Sequence, residues 1–138
     1  MSNRAVAESY FANISRNLDM ALAAFAPGAE FVAPIGPVPF PDGVRMMLQG
    51  YNMAFPGHAF EVKRWIEDGD TLVAEGTWVG RHTGTMLMPG APPVPATGMT
   101  VRAPFVTILQ MKNGKIASHR AYWDLAGFMG QLGIAPRL

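Results

Sequence analysis

The apolar positions of this chain change their spacing once, dividing it into a helical first part and a stranded second part. In the first, Val6, Tyr10 and Ile14, with Phe11 and Leu18 beside them, recur three and four residues apart, the spacing of one helix face. Ser2 or Asn3 offers a capping side chain, so a first helix is predicted to run to about Asn17. Asn17 or Asp19 opens a second short helix, Met20 to Phe25, that Pro27-Gly28 stops. Residues 30–33 then read as a short strand ended by the Pro-rich IGPVPFP. A third helix is expected from Gly43, capped by Asp42, to about Ala54. Val44, Met47, Leu48 and Tyr51 share its apolar face, and Pro56-Gly57 closes it.

From His58 onward the period becomes two. AFEVKRWIED points Phe60 and Val62 inward, slips at Lys63-Arg64, and resumes at Trp65 or Ile66 before the Asp68-Gly69 turn. TLVAEGTWVGRHTGTMLM is long for a strand and is interrupted by Gly76, Gly80 and Gly84. Glycines inside a strand mark bends, bulges or close backbone approach, so strong curvature is expected. Ala74, Gly76, Trp78, Gly80 and His82 share one face, assigned to the interior because the face of Glu75, Thr77, Val79 and Arg81 is more polar. A Pro/Gly loop, PGAPPVPATG, separates this strand from MTVRAPFVTILQMK. Asn113-Gly114 is a strong hairpin signal, KIASHRAYWD pairs back, and helical spacing follows to Gly133. Helices first and a meander of strands afterwards imply an α+β fold, with a curved sheet wrapped around the helices and a pocket between them.

The 138 residues suffice for one core but not for two comfortable ones, so residues 1–138 are expected to form a single domain. With 49% hydrophobic and 15% charged residues, the chain has apolar side chains to spare for a cavity or a subunit interface. A net charge of +1 without runs of like charge argues against a nucleic-acid partner. There is no cysteine, and the three histidines lack H-x-H or H-x-x-x-H spacing, so no metal site is expected. Neither G-x-G-x-x-G nor a P-loop is present to hold a nucleotide. No apolar run approaches the ~20 residues of a membrane span. MSNRAVAESYF does not read as a signal peptide, so a cytoplasmic protein is expected.

Asp124 stands where strand alternation gives way to helical spacing, among Tyr122, Trp123 and Phe128. A carboxylate there either caps the last helix or transfers a proton. Alternation sets Ser118, Arg120, Tyr122 and Asp124 on one face of the strand, and His119, Ala121 and Trp123 on the other.

Two stretches carry a family resemblance. GRHTGTMLMPGAPPVPATGMTV resembles the G-x-H-x-G strand, Pro-rich loop and TG segment of the SnoaL-like polyketide cyclases, also called ester cyclases. KNGKIASHRAYWDLAGFMGQLGIAP resembles the family's G-K-I hairpin, strand, Asp and QLG helix. The resemblance implies the cone-shaped barrel of nuclear transport factor 2 and ketosteroid isomerase, a curved, mixed, mostly antiparallel sheet around N-terminal helices. It also implies that Asp124 is a general acid/base that deprotonates a carbon flanked by carbonyls. The enolate then closes a ring by intramolecular aldol addition, with no metal or organic cofactor. Burial of Asp124 among Tyr122, Trp123, Phe128 and Trp78 would raise its pKa above the ordinary ~3.9, toward the working pH of a base.

The same resemblance makes His82, the histidine of G-x-H-x-G, a group that orients Asp124 or a second acid/base, against the alternative of a buried core histidine. If Asp124 faces the cavity, Tyr122 does too and can bond a carbonyl. Arg120 would hold an acidic substrate or steady an enolate, unless it pairs with a neighbouring carboxylate. Trp78 is expected in the wall, Tyr51 at the pocket end of the third helix, and His58 either at the surface or as a third polar group in the mouth. His119, on the face away from Asp124, is left out. Methionines such as Met46, Met47, Met86 and Met129 would pack the core or line the pocket. The expected partners are a small apolar carbonyl ligand and a second copy of the chain, docked through an outer sheet face carrying Val73, Val79, Phe105 and Thr107. The competing functions are non-catalytic binding of an apolar ligand, an isomerase, and an epoxide hydrolase. The last lacks a second pocket Asp, since Asp42, Asp68 and Asp70 fall in caps and turns.

Overall fold

A computed structural model describes residues 1–88 and 90–134. Helix α1, Asn3–Asn13, starts at Ser2, whose hydroxyl accepts the Ala5 N–H at 3.1 Å. Helix α2, Leu18–Leu22, starts at Asn17, whose side chain accepts the Met20 N–H at 3.2 Å. It ends earlier than its pattern suggests because Phe25 already begins strand β1, Phe25–Ala33. Pro27-Gly28 lies inside that strand, where the pairing register shifts between Phe25 and Glu30, and does not stop a helix. The Pro-rich segment contains a two-residue strand, β2 (Gly36–Pro37), that folds back on the end of β1. Helix α3 spans Asp42–Ala54 with Pro41 in the cap position, so Asp42 sits in the first turn, where its charge suits the positive end of the helix.

Four long strands follow: β3 (Ala59–Asp68), β4 (Thr71–Arg81), β5 (Thr100–Lys112) and β6 (Lys115–Trp123). A last helix, α4, runs over Leu125–Gln131. The sheet order is β2-β1-β6-β5-β4-β3, and every neighbouring pair is antiparallel except β1 with β6. This is the mixed, mostly antiparallel sheet expected, wrapped about α1 and α3. The slip at Lys63-Arg64 is a register shift between Val62 and Arg64. Opposite it lies Gly76, where an added Cβ would run into the Glu61 carbonyl, so the glycine allows the two backbones to close on each other. Asn113 and Gly114 both take positive φ, 52° and 73°, as a two-residue hairpin turn with the twist of its strands requires.

β4 stops at Arg81 and does not continue to Met88. Beyond it the His82 N–H donates to the Met99 carbonyl, Gly98 donates back to His82, and Met86 bridges Val94. Of the 89–98 loop, Pro89 lies outside the described residues, as do positions 135 and 136 of the C-terminal resemblance. On β5, Val101, Ala103, Phe105, Thr107, Leu109 and Met111 all face inward. This corrects the placement of Phe105 and Thr107 on the outer face: the alternation sets Arg102, Pro104 and Val106 there instead. Val73 and Val79 are half-buried. No helix among the described residues is long and apolar enough to cross a membrane.

Candidate functional site

The concave face of the sheet and the helices over it enclose a cavity with about 60 Å³ of free space. Tyr10 reaches it from α1, Met47 and Tyr51 from α3, Trp78 from β4, Trp123 from β6 and Phe128 from α4. None of the described residues lining it is Asp, Glu, Lys or Arg. Its polar groups are the hydroxyls of Tyr10, Tyr51 and Thr107, the imidazoles of His58 and His119 and the indole N–H groups of Trp78 and Trp123. Met47, Tyr51 and Trp123 are partly exposed, which puts the mouth between α3 and the β6–α4 junction.

His58 follows the Pro56-Gly57 turn and is buried. The Trp78 indole N–H donates to its Nδ1 at 2.9 Å. An indole nitrogen can only donate, so Nδ1 is the acceptor and the ring proton sits on Nε2. Nε2 then donates to Asn52 Oδ1 at 2.8 Å, and Asn52 Nδ2 donates to the Ile14 carbonyl at 2.8 Å. Both ring nitrogens are used. Burial lowers the imidazole pKa to about 4, so the ring is neutral near pH 7.

Deeper in the cavity, Tyr10 Oη and His119 Nε2 lie 3.0 Å apart. The imidazole stacks on Phe31 with centroids 4.1 Å apart and planes within 7°. Its Nδ1 is buried and has no hydrogen-bond partner on another described residue. Burial lowers the His119 pKa to about 3, with its own backbone offsetting only part of the shift, and pushes the Tyr10 phenol well above its usual value. Both groups are neutral in the fold. At the mouth, the Tyr51 ring meets the edges of Trp78, Trp123 and Phe128, and burial raises its phenol to about 12.

Of the residues singled out from sequence, Trp78, Tyr51 and His58 line the cavity, whereas Asp124, Tyr122, Arg120 and His82 do not. β6 presents His119, Ala121 and Trp123 inward, so Arg120, Tyr122 and Asp124 point outward, the reverse of the expected facing. Asp124 is exposed and is not buried among aromatic rings; its Oδ1 accepts the Gly127 N–H at 2.9 Å as the N-cap of α4. Arg120 pairs with Glu30 at 2.7 Å on the outer surface. Tyr122 is 50% exposed and lies in a shallow outer groove with Lys63 and Glu75. His82 is fully buried against Phe55. Its Nδ1 accepts from the Thr97 N–H at 3.2 Å and lies 3.0 Å from the Thr97 hydroxyl. It ties the end of the loop to β4, and its side-chain hydrogen bonds go to Thr97 and not to Asp124.

Tyr10, Thr107 and His119 are polar lining residues that the sequence reading did not place in the site. The available signal was composition: the face carrying His119, Ala121 and Trp123 is more apolar than that of Ser118, Arg120, Tyr122 and Asp124. α4 closes the site from outside. β6 ends at Trp123, opposite Phe105, which leaves the β5 backbone before it without a strand on that side. There the Gln131 amide accepts the Arg102 N–H at 2.8 Å and donates to the Arg102 carbonyl at 2.9 Å, as a neighbouring strand would.

A sequence profile described as SnoaL-like polyketide cyclase matches residues 4–132. No curated protein matches the chain in sequence. Among solved structures, a proposed SnoaL-like polyketide cyclase from Jannaschia sp. CCS1 superposes with TM-score 0.83 at 20% identity, over 97% of this chain and 93% of that one. AclR of Streptomyces galilaeus, proposed to be a hydroxylase, gives 0.82 at 22% identity, over 99% and 87%. IdmH of Streptomyces antibioticus, a proposed polyketide cyclase, gives 0.79 at 19% identity, over 97% and 100%. At these identities the likeness is one of fold.

Proposed function

This chain belongs to the SnoaL-like polyketide cyclase family, and from that premise we propose that it binds a neutral, apolar carbonyl compound in its cavity and promotes enolate chemistry on it. Its fold is the cone of nuclear transport factor 2-like proteins. The observation that carries the reading is the lining: aromatic and aliphatic walls, no formal charge, and a few hydroxyl and imidazole groups. An ionised ligand entering there would lose its hydration and meet no opposite charge, which is strongly unfavourable. A ketone loses little and gains dispersion contacts and one or two hydrogen bonds. Hydrogen-bond donors in such a setting stabilise negative charge that develops on oxygen more than they would in water. Abstraction of a proton from a carbon next to a carbonyl needs no metal or organic cofactor but does need a base, and the groups of the described lining that can take the proton are the neutral imidazoles of His58 and His119.

A second reading is that the cavity holds such a compound without transforming it. It is favoured by two observations: the Asp124 carboxylate does not line the cavity, and burial makes both cavity imidazoles weak bases. One experiment tests both readings. A neutral aryl ketone is titrated against the intrinsic fluorescence of Trp78 and Trp123, and exchange of its α-protons for deuterium is followed by NMR. Binding with accelerated exchange is the expected result. Binding without exchange selects the holding function, and no binding overturns both.

A further inference from the structure

The two imidazoles of the cavity differ in what stands behind them. His119 is stacked on Phe31 with planes within 7°, has Tyr10 Oη 3.0 Å from Nε2, and is bonded on its other side to its own backbone. His58 belongs to a chain of bonds. Its Nε2–H donates to Asn52 Oδ1 at 2.8 Å, and Asn52 is itself anchored to the Ile14 carbonyl at 2.8 Å. That acceptor serves a neutral ring and a protonated one alike, since Nε2 carries a proton in both. The basic position is the lone pair of Nδ1, which the Trp78 indole N–H covers at 2.9 Å. Trp78 lines the cavity beside His58, so the same N–H can pass to an oxygen held there. Protonation of Nδ1 requires that transfer, because the indole N–H would otherwise face another N–H.

We propose that His58 is the base of the cavity and that Trp78 uncovers it, the indole N–H moving from His58 Nδ1 to the carbonyl oxygen of a bound ketone. This rests on the reading of the cavity as a site of enolate chemistry, and adds the atoms between which the proton moves. A C–H bond next to the carbonyl breaks and its proton goes to His58 Nδ1. The bonding pair forms the enolate double bond while the carbonyl π pair moves onto oxygen, which accepts the Trp78 N–H. One hydrogen bond is given up and one is made, and the new one strengthens as charge gathers on oxygen. The imidazolium keeps its bond to Asn52 and lies against the enolate, whose charge offsets the burial that lowers the free ring to about 4. Of the two imidazoles His58 is the less suppressed, since burial takes His119 to about 3. A hydrocarbon cannot accept the indole proton and leaves the base covered.

The test uses acetophenone deuterated at its methyl group, and ethylbenzene, which has the same ring without the oxygen. In intact protein the ketone should move the ¹⁵N resonance of His58 Nδ1 downfield, as loss of its donor requires, and ethylbenzene should leave it near its starting position. Exchange of the deuterium with water should fall about a hundredfold or more per bound ketone in His58→Gln, with ketone affinity kept within about threefold. Asp124→Asn, which preserves the helix cap, should exchange as fast as intact protein. Undiminished exchange in His58→Gln overturns the base, and so does loss of exchange in Asp124→Asn. Where His58→Gln does not fold, the Nδ1 resonance decides: a downfield move with the ketone alone supports the proposal, and an unmoved resonance overturns it. Ketone bound to intact protein without exchange overturns the enolate reading together with this base, and leaves the holding function standing. Absence of binding overturns all three.

Discussion

Trp78 donates its indole N–H to His58 Nδ1 across 2.9 Å, and that bond sets the imidazole's tautomer through Asn52 to the Ile14 carbonyl. Trp78→Phe would leave Nδ1 buried without its donor and remove part of the cavity wall. The expected loss is about 2–4 kcal/mol of stability by urea unfolding. In the intact protein, ¹⁵N NMR should find the His58 proton on Nε2; a proton on Nδ1 would contradict the chain of bonds.

Acid should destabilise the fold over a defined window. The His58 and His119 pKa values fall from the ordinary ~6.5 to about 4 and about 3 in the fold. The unfolded chain therefore takes up protons first as pH drops, and stability falls with it. The histidine contribution is fully present above about pH 6.5 and is lost progressively toward pH 4 and below, by on the order of several kcal/mol. Melting temperatures measured from pH 7.5 to 4 should show the decline, and His119→Phe should flatten it. A level profile would refute the burial of these rings.

Asp124 caps α4, so Asp124→Ala should cost about 1 kcal/mol, and Asp124→Ser should recover most of it. Affinity for a cavity ligand should change less than about twofold, since the carboxylate lies outside the lining. A collapse of binding in Asp124→Ala with stability intact would return the carboxylate to the site. Gly127→Ala should behave like loss of the cap, because an added methyl would strike the Asp124 carboxylate.

Gln131→Ala removes both bonds that fasten α4 to the Arg102 backbone. Amide hydrogens of α4 should then exchange faster while those of β4 and β5 remain protected, with a global loss of about 1–2 kcal/mol. Unchanged protection in α4 would show that Phe128 and Met129 hold the helix without the clamp.

The fold was largely legible in the sequence because each device that shapes it is local. Ser2 and Asn17 cap as their types suggest, Asn113-Gly114 turns the hairpin, and the broken alternation at Lys63 appears as a bulge opposite Gly76. β1 was only partly legible, since Pro27-Gly28 looks like a helix stop and its parallel pairing with β6 depends on residues about 90 positions away. Tyr51 and Trp78 reach the cavity as their faces predict. The facing of β6 does not follow from Asp124, because a strand end next to a helix cap can point its last polar residue outward. The Tyr10–His119 pair joins positions 109 residues apart, and only tertiary structure reveals that two residues so distant share a bond.

A hollow with space for only a few waters cannot admit a guest of ten or more heavy atoms without rearrangement. Admission then waits on the protein's own breathing at the mouth, where Tyr51 and Trp123 stand. The observed association rate should level off at high guest concentration, at a plateau equal to the frequency with which that gap opens. Mutations that loosen the rim would raise the plateau and speed departure equally, altering residence time while leaving affinity nearly constant.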